Sequence, residues 1–483
     1  MLEAPLLIDN KDVASGDGAT FERLNPISGA VATRAAASSV SSAMAAANSA
    51  AKGFAAWSVT SPEKRRDILN KAADILLART PQFVRAMAEE TGATAGWGGF
   101  NCYLASNMLR EAAAMTTQIT SEVIPSNKPG CLAMAMRQAA GVVFSVAPWN
   151  APVILGVRGI AMPLACGNTV VLKGSELCPM THRLIGEVMR EAGLEAGVLN
   201  VVLNAPKDAA AIVEALIAHA AVRRVTFTGS TRVGRLIAAL GAKYLKPCLL
   251  ELGGKAPMVV LDDADLDEAV KAAAFGAFFN QGQICMSTER IVVDKKVADA
   301  FVQRLAHKAA SLKAGMPTDE SCALGSMISS EAAARVKSLV DDAIAKGARL
   351  VTGGTVNGSI MNATILDNVT PAMRLYGEES FGPVAVILRF GDIDEALAIA
   401  NDTEYGLSSA VFGRDVMRAL SVAQRIESGI CHINSSTVHD EAQMPFGGVK
   451  ASGYGRFGGK AAIAEFTELR WVTIQSGPQH YPI

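Results

Sequence analysis

The chain has 483 residues, of which 50% are hydrophobic and 19% charged, with 45 Lys and Arg against 46 Asp and Glu. That apolar fraction excludes a disordered chain, and the length exceeds what one core fills, so two or three domains are expected. A net charge of −1 gives no attraction to nucleic acid or to a membrane surface, and neither is expected as a partner.

The first residues, MLEAPLLIDN, lack a basic start followed by an apolar stretch, so no signal peptide is expected. The Ala-rich stretch 41–57 is a helix former. From residue 140 the pattern alternates. GVVFSV is a β-branched run, followed by an apolar helix from Ala151. NTVVLK is the next strand and PMTHRLIGEVMREAG the next helix. VLNVVL, a helix around DAAAIVEALIAHA, RRVTF and a helix opening at GSTRVG continue the series. Continuous apolar strands alternating with helices predict a parallel sheet covered on both faces, with its ligand at the carboxyl ends of the strands. A second α/β region starts at PMVVLDD and runs past 410, and the strand-like tail FTELRWVTIQ has no helical partner and is free to pair elsewhere. The longest apolar run, APVILGVRGIAMPLACG, is broken by Arg158, Gly159 and Pro163 and is too short to span a bilayer.

Eight cysteines are scattered with no CxxC spacing, which without an export signal reads as reduced thiols and a cytoplasmic location. The adjacent Cys431 and His432 have no further ligand spacing beside them, so no metal is expected. One thiol stands out. Cys285, in FNQGQICMST, follows a Gln-Gly-Gln turn between Ile284 and Met286. An apolar collar on a glycine-bearing loop suits either core packing or a nucleophile at the bottom of a pocket.

Four further stretches end predicted strands. In FTGSTRVG, Gly229 and Gly234 bracket a helix start whose N–H groups can face a pyrophosphate, or simply form a strand-to-helix turn. In VVLKGSE, Lys173 and Glu176 can each hydrogen-bond ribose hydroxyls, or form a solvated surface pair. A carboxylate at that place repels a 2′-phosphate and favours NAD over NADP. In APWN, the Asn150 amide suits an oxyanion, or a helix cap. In LLELGGK, Glu251 ends an apolar strand, where burial raises a carboxyl pKa toward the range of a general base, and Gly253 and Gly254 allow close approach.

APWN, KGSE, FTGSTRVG, ELGGK, GQIC, EESFGPV and PFGGVKASGYGR, in that order along nearly the whole chain, resemble the aldehyde dehydrogenase superfamily. The stretches ETGATAGWGGFNCYLASNMLREAAAMTTQI, APWNAPVILGVRGIAMPLACGNTVVLK and GPQHYPI look like its aromatic-aldehyde members, the vanillin dehydrogenases first and the salicylaldehyde dehydrogenases next.

The resemblance implies an α/β fold: a Rossmann-like NAD-binding domain over 1–118 and 138–250, a second α/β catalytic domain over 251–445, and a small β oligomerisation or bridging element over 119–137 and 446–483. It implies Cys285 as nucleophile, Asn150 and the Cys285 N–H as oxyanion donors, and Glu251 as the base for hydrolysis of the acyl-enzyme. Lys173, Glu176, Gly229, Ser230, Val233, Trp149, Glu379 and Phe381 are implied as NAD contacts. Trp97, Tyr103, Arg158, Ile284, Met286 and Phe446, with Met108, are expected to wall an aromatic pocket. Arg158, expected on one helix with Asn150, is read either as a ligand for a phenolate or ring, or as a structural ion pair. Many members carry Glu after the Gly-Arg of the last motif. Here Phe457 follows Gly455-Arg456, which puts more weight on Glu251.

The expected activity is NAD-dependent oxidation of a vanillin-like hydroxybenzaldehyde by a homodimer or homotetramer. A semialdehyde or aliphatic aldehyde dehydrogenase is the alternative, but its carboxylate-bearing substrate wants more cationic groups than Arg158 alone. A catalytically inactive protein on the same fold is the third reading, and retention of Cys285, Glu251 and Asn150 argues against it.

Overall fold

The computed structural model describes residues 1–16 and 18–483. Two large sheets organise it. The first has eight strands in the order Gly453–Tyr454, Cys248–Glu251, Val222–Thr228, Val142–Val146, Thr169–Lys173, Leu199–Val202, Leu6–Ile8 and Lys11–Val13. The five strands from Cys248–Glu251 to Leu199–Val202 are mutually parallel, and the flanking ones antiparallel. Their β-branched and Leu residues are buried on both faces, as covered parallel strands require. Helices Val40–Trp57, Pro152–Ala165, Pro179–Glu191, Ala209–Ala218 and Thr231–Lys243 supply the cover. Every residue of Pro152–Ala165 is buried, which is why its sequence lacks a polar stripe.

The second sheet has seven strands in the order Arg349–Thr352, Thr364–Asp367, Val384–Phe390, Thr288–Asp294, Ala256–Val260, Ser408–Phe412 and Ile430–Ile433. All but Arg349–Thr352 run parallel. The two sheets meet end to end. Strand Cys248–Glu251 leaves the first sheet and, after Leu252–Lys255, the chain enters the second as Ala256–Val260. Ala256 pairs with Thr288, three residues past Cys285, so Glu251 and Cys285 face one seam.

A three-stranded antiparallel sheet, in the order Thr467–Gln475, Cys131–Ala139, Glu122–Ile124, stands apart. The tail strand therefore pairs inside its own chain, over nine residues from Thr467↔Ala139 to Gln475↔Cys131. The bridging segment expected over 446–483 is shorter than its boundaries. Gly453–Tyr454 joins the edge of the eight-stranded sheet, Phe446 and Phe457 form an isolated bridge, and only the final strand enters the small sheet. The fully buried Asn168 ties these parts together. Its Oδ1 accepts from the N–H groups of Ala140 and Gly141 at 2.8 and 3.0 Å, and its Nδ2 donates to Pro163 and Phe466 carbonyls at 3.1 and 2.8 Å. Among the described residues no helix is long and apolar enough to cross a membrane, and no three metal-ligating side chains cluster.

Candidate active site

Register alone brings the sequence-predicted groups to one sheet edge. Val146 is level with Lys173 and with Phe227, and Thr228 with Glu251. The carboxyl ends of four adjacent strands thus present Trp149 and Asn150, Lys173, Gly229 and Ser230, and Glu251 side by side.

Cys285 is carried by an unusual backbone. Asn280, Gln281 and Gly282 have φ of 49°, 56° and 68°, a left-handed run of three residues. A non-glycine residue in that region costs about 1–2 kcal/mol, so the run needs support. The side chains named by the Gln-Gly-Gln turn and its preceding Asn supply it. Gln281 donates to Ser326 O and accepts from Gly325 N, each at 2.9 Å, and Gln283 accepts from Ile328 N at 2.9 Å. Asn280 Nδ2 donates to Asn150 O at 3.0 Å. Gly282 lies so close to the neighbouring loop that a Cβ would sit 2.0 Å from Gly382 O, and a Cβ on Gly254 would sit 2.2 Å from Cys285 O. These two positions admit only glycine.

Asn150 does not cap the next helix. Ala151 holds the cap position of Pro152–Ala165, so Asn150 lies before that helix rather than on one face with Arg158. Its carbonyl accepts from Trp97 Nε1 at 2.9 Å, and its Nδ2 points into the nucleophile loop, donating to Gln283 O at 3.0 Å. The amide is therefore held within reach of any oxygen bound above Cys285.

Glu251 is buried and neither of its oxygens has a hydrogen-bond partner. Burial pushes its pKa up to about 7, with the nearby Cys285 thiol and Arg158 pulling the other way. Burial, then the Glu251 charge, holds the Cys285 thiol well above its ordinary value. The thiol supports the Glu251 carboxylate while that charge holds the thiol protonated, so the two titrate as a pair rather than ionise together.

Two clefts meet at this point. One is lined by Trp149, Gly229, Ser230, Glu251, Gly253, Arg335, Glu379 and Phe381. The other has Trp97, Phe100, Ile284, Met286, Phe275 and Phe446 among its walls. Asn150, Leu155 and Cys285 belong to both.

The first cleft fits a dinucleotide. The 13-residue helix Thr231–Lys243 opens on it, with Ser230 Oγ accepting from Val233 N. Lys173 is buried, and its ammonium has only Gly174 O at 3.1 Å and Glu176 at 3.5 Å, which leaves donor capacity for ribose hydroxyls. Glu379 accepts from Gly254 N at 2.9 Å, and a Cβ on Gly253 would meet its other oxygen at 2.7 Å. Burial, with Glu289 nearby, raises Glu379 to about 8. Phe381, at φ 50°, stands edge-on to Trp149 with ring centres 5.6 Å apart. Val233 is present only through its backbone N–H and does not line this cleft.

The second cleft corrects the expected pocket. Trp97, Phe100 and Leu104 share one face of helix Ala95–Met115 and line it. Tyr103 does not line it and is 60% exposed, because six residues at about 100° each leave it roughly 120° round the helix from Trp97. Met108 is on the Trp97 face but further along, in a small recess behind Arg158. Arg158 is in the wall, yet it is not free. It forms a buried ion pair with Asp440 and lies over the Phe446 ring at 4.1 Å, with Phe457 behind at 5.9 Å.

Several contributors carried no motif. Phe279 stands T-shaped to Trp97 at 5.0 Å and stacks on Phe275 at 4.8 Å. Arg335, from helix Ser330–Ala345, donates to Ser380 O at 2.6 Å. The buried Lys255–Glu289 pair, at 2.5 Å, holds the Glu379 loop, since Glu289 accepts from the N–H groups of Ser380 at 2.8 Å and Phe381 at 3.1 Å.

A half-buried thiol beside a buried carboxyl and a side-chain amide, between a dinucleotide-shaped cleft and an apolar cleft, fits a thiol-dependent oxidoreductase of aldehydes. The chain belongs to the aldehyde dehydrogenase family, whose model matches residues 13–472. It is 63% identical to a vanillin dehydrogenase of Pseudomonas fluorescens over 100% of both chains. It is 38% identical to a benzaldehyde dehydrogenase [NAD(+)] of Pseudomonas putida over 91% of this chain and 90% of that one. The crystal structure of a salicylaldehyde dehydrogenase from Pseudomonas putida G7 complexed with salicylaldehyde superposes with a TM-score of 0.98, at 51% identity over 100% of both chains.

The glycine requirement in the nucleophile loop is directly testable. Gly282→Ala is expected to displace the loop from Gly382 and to lower kcat/KM for aldehyde oxidation by about a hundredfold or more, the scale of a misplaced reacting group. Circular dichroism checks that the variant is folded, and a folded variant with near wild-type kcat/KM contradicts this account of the loop.

Proposed function

We propose that this protein oxidises aromatic aldehydes of the hydroxybenzaldehyde class to their carboxylic acids, with NAD as acceptor. The observation that carries the proposal is Cys285 at the junction of an aromatic-walled cleft and a dinucleotide-shaped one. The relatives named above, which act on vanillin, benzaldehyde and salicylaldehyde by name, support the substrate class.

Lys173 and Glu176 are suited to the adenosine ribose, Gly229 and Ser230 to the pyrophosphate at the helix start, and Glu379 with Phe381 and Trp149 to the nicotinamide end. What bound NAD supplies is a hydride acceptor. The rest falls to the chain. Glu251 takes the proton of the Cys285 thiol as Sγ attacks the aldehyde carbon. The developing oxyanion meets Asn150 Nδ2, released from Gln283 O, together with the Cys285 N–H. Once hydride has left, the acyl group is a thioester on Cys285. Glu251 releases the thiol proton to solvent and then accepts one from water as the water oxygen attacks the acyl carbon; the carbon–sulfur bond breaks, the proton passes from Glu251 to Sγ, and the acid leaves. Phe457 backs Phe446 instead of offering a second carboxylate, so this step rests on Glu251.

The reading is tested by measuring NADH formation across aromatic and aliphatic aldehydes, with NAD and with NADP, for the wild type and Cys285→Ala. Substituted benzaldehydes with NAD should be the best pair, and Cys285→Ala should lose turnover while keeping NAD affinity. Preference for aliphatic aldehydes overturns the substrate class. Equal efficiency with NADP removes the role of Glu176.

Because the Glu251 carboxyl is raised to about 7, it is protonated and idle as a base below that pH. Where hydrolysis limits turnover, kcat is expected to rise with pH through about 7 and level off. Glu251→Gln should give a single, slowed turnover of NADH and then near arrest, without that rise. Wild-type steady turnover in the variant places the base elsewhere.

We further infer a homodimer or homotetramer assembled through the small sheet, which leaves Val123, Leu132, Leu469, Ile474 and the 81%-exposed Trp471 uncovered. Light scattering should report a multiple of the 50.3 kDa chain mass. A pure monomer at micromolar concentration refutes the inference.

A further inference from the structure

Behind the turn that carries Lys173 and Glu176 lies a histidine that takes no part in the chemistry at Cys285. His182, on helix Pro179–Glu191, is fully buried. Its Nδ1 accepts from Ser175 N at 3.0 Å, in the middle of that turn. A Cβ on Gly174 would sit 3.0 Å from His182 Cβ and 3.2 Å from Nδ1, so the turn lies directly on the ring. Up to Gly174 the chain is held by its neighbours in the sheet. Lys173 O accepts from Ala147 N at 3.2 Å, and Gly174 N donates to Val202 O at 3.0 Å. Beyond Gly174, the bonds from Leu177 N to Ser175 Oγ and from Cys178 N to Ser175 O, each at 3.2 Å, close within the turn. The imidazole is the tie that fixes Ser175 to the helix behind it.

Packing alone does not account for a histidine here, because its Nε2 is buried and closes no hydrogen bond. Burial, then the Lys173 charge, lowers the ring's pKa to about 3, with the Pro152 carbonyl pulling weakly the other way. The ring is therefore neutral, and the bond from Ser175 N leaves its proton on Nε2. Cys178 Sγ, at 3.5 Å, is only a weak competitor for Nδ1. Resting on the NAD reading above, we propose that His182 is a positioning residue for the cofactor: through Ser175 it holds Lys173 and Glu176 where both meet the adenosine ribose, and so sustains the affinity for NAD and the preference for it over NADP. Glu176 depends on this tie, since its carboxylate is half-buried and has only Lys173, at 3.5 Å, to restrain it. Without the acceptor, Ser175 N–H is left unpaired, the turn lifts from the ring, and Glu176 neither takes a ribose hydroxyl nor opposes a 2′-phosphate.

The test is calorimetric titration of the enzyme with ADP-ribose, NAD and NADP, in the wild type, His182→Leu and His182→Asn, and it needs no turnover. Leucine fills the site without an acceptor. Asparagine brings its Oδ1 close to where Nδ1 stands and keeps the acceptor for Ser175 N. His182→Leu should weaken ADP-ribose and NAD by about tenfold, the scale of one buried donor left unpaired. NADP should lose less, so the ratio of the two affinities shrinks. His182→Asn should stay within about threefold of the wild type for all three. With NAD saturating, KM for benzaldehyde should be unchanged in both variants, because the aromatic cleft is not touched.

Wild-type affinity for ADP-ribose in a folded His182→Leu enzyme overturns the proposal. Equal losses in His182→Leu and His182→Asn also overturn it and leave the ring as a packing element. If His182→Leu fails to fold, His182→Gln takes its place, because the glutamine amide reaches the Nε2 position rather than Nδ1. Affinity in that variant equal to His182→Asn overturns the proposal, and a loss confined to His182→Gln supports it. Failure of the underlying reading looks different: wild-type enzyme that binds neither ADP-ribose nor NAD.

Discussion

The site depends on the left-handed run at Asn280, Gln281 and Gly282. An extended or helical path through these residues would carry the thiol away from the seam between the two sheets. The run is kept by buried amides, and the partners of those amides are spread over distant parts of the chain: Asn150 from the eight-stranded side, and Gly325, Ser326 and Ile328 from the loop after helix Ala298–Ala310. Each bond contributes only about 1 kcal/mol net, but leaving any of these buried groups unpaired costs more, so the set resists piecemeal loss. The same bonds fix Asn150. Its carbonyl takes hydrogens from Trp97 and Asn280 together, and its side chain is thereby aimed back at the loop that holds it. The Cys285 loop and the Asn150 amide are thereby positioned together.

Electrostatics at the seam follow from depth. Glu251, Glu379, Glu289 and Asp440 are four carboxyls packed near one thiol, and only two of them have a cation of their own: Lys255 for Glu289 and Arg158 for Asp440. Burial raises Asp440 as well, against the pull of Arg158, and raises the two without a cation, Glu251 and Glu379, to about 7 and about 8. The unpaired carboxyls are thus tuned close to neutrality, where a proton is given and taken at little cost, and the paired ones serve as fixed struts. Pairing, rather than position along the chain, separates the two roles.

How much of this could be read from the sequence varied with the kind of signal. The alternation of strand and helix from residue 140 was legible because parallel strands buried on both faces leave unbroken apolar runs. The placement of Glu251 and Asn150 was legible because each follows or ends a strand in a distinctive short motif, and that of Cys285 because its loop opens with Asn-Gln-Gly-Gln ahead of strand Thr288–Asp294. The aromatic cleft was not, because it is assembled from separate helices and loops. Tyr103 reads as well as Phe100 in a string of letters, and only the angle around helix Ala95–Met115 separates them. Arg158 was legible as an odd charge in an apolar run, but its partner Asp440 is 282 residues away, in a loop with no pattern of its own. Arg335 and Glu289 were invisible for the same reason: their work is done through backbone groups of another segment. That Gly453–Tyr454 joins the eight-stranded sheet was not legible in the tail, because a two-residue strand leaves no periodicity to read.

That two-residue strand bears on how the molecule comes into being. The eight-stranded sheet begins with Leu6–Ile8 and has its other internal strands complete by Glu251, yet its last edge is closed by Gly453–Tyr454. During synthesis the strand that ends in Glu251 is therefore available early, with one row of backbone hydrogen-bond groups unmatched, and stays so while some two hundred further residues are made. The same late segment brings Phe457 to Phe446 and leads into the strand that pairs with Cys131–Ala139. A ribosome releasing this chain thus seals the base, the pocket wall and the outer sheet in one closing event. A nascent chain cut short before residue 453 would hold Cys285, Asn150 and Glu251 and still present an open sheet edge to its neighbours.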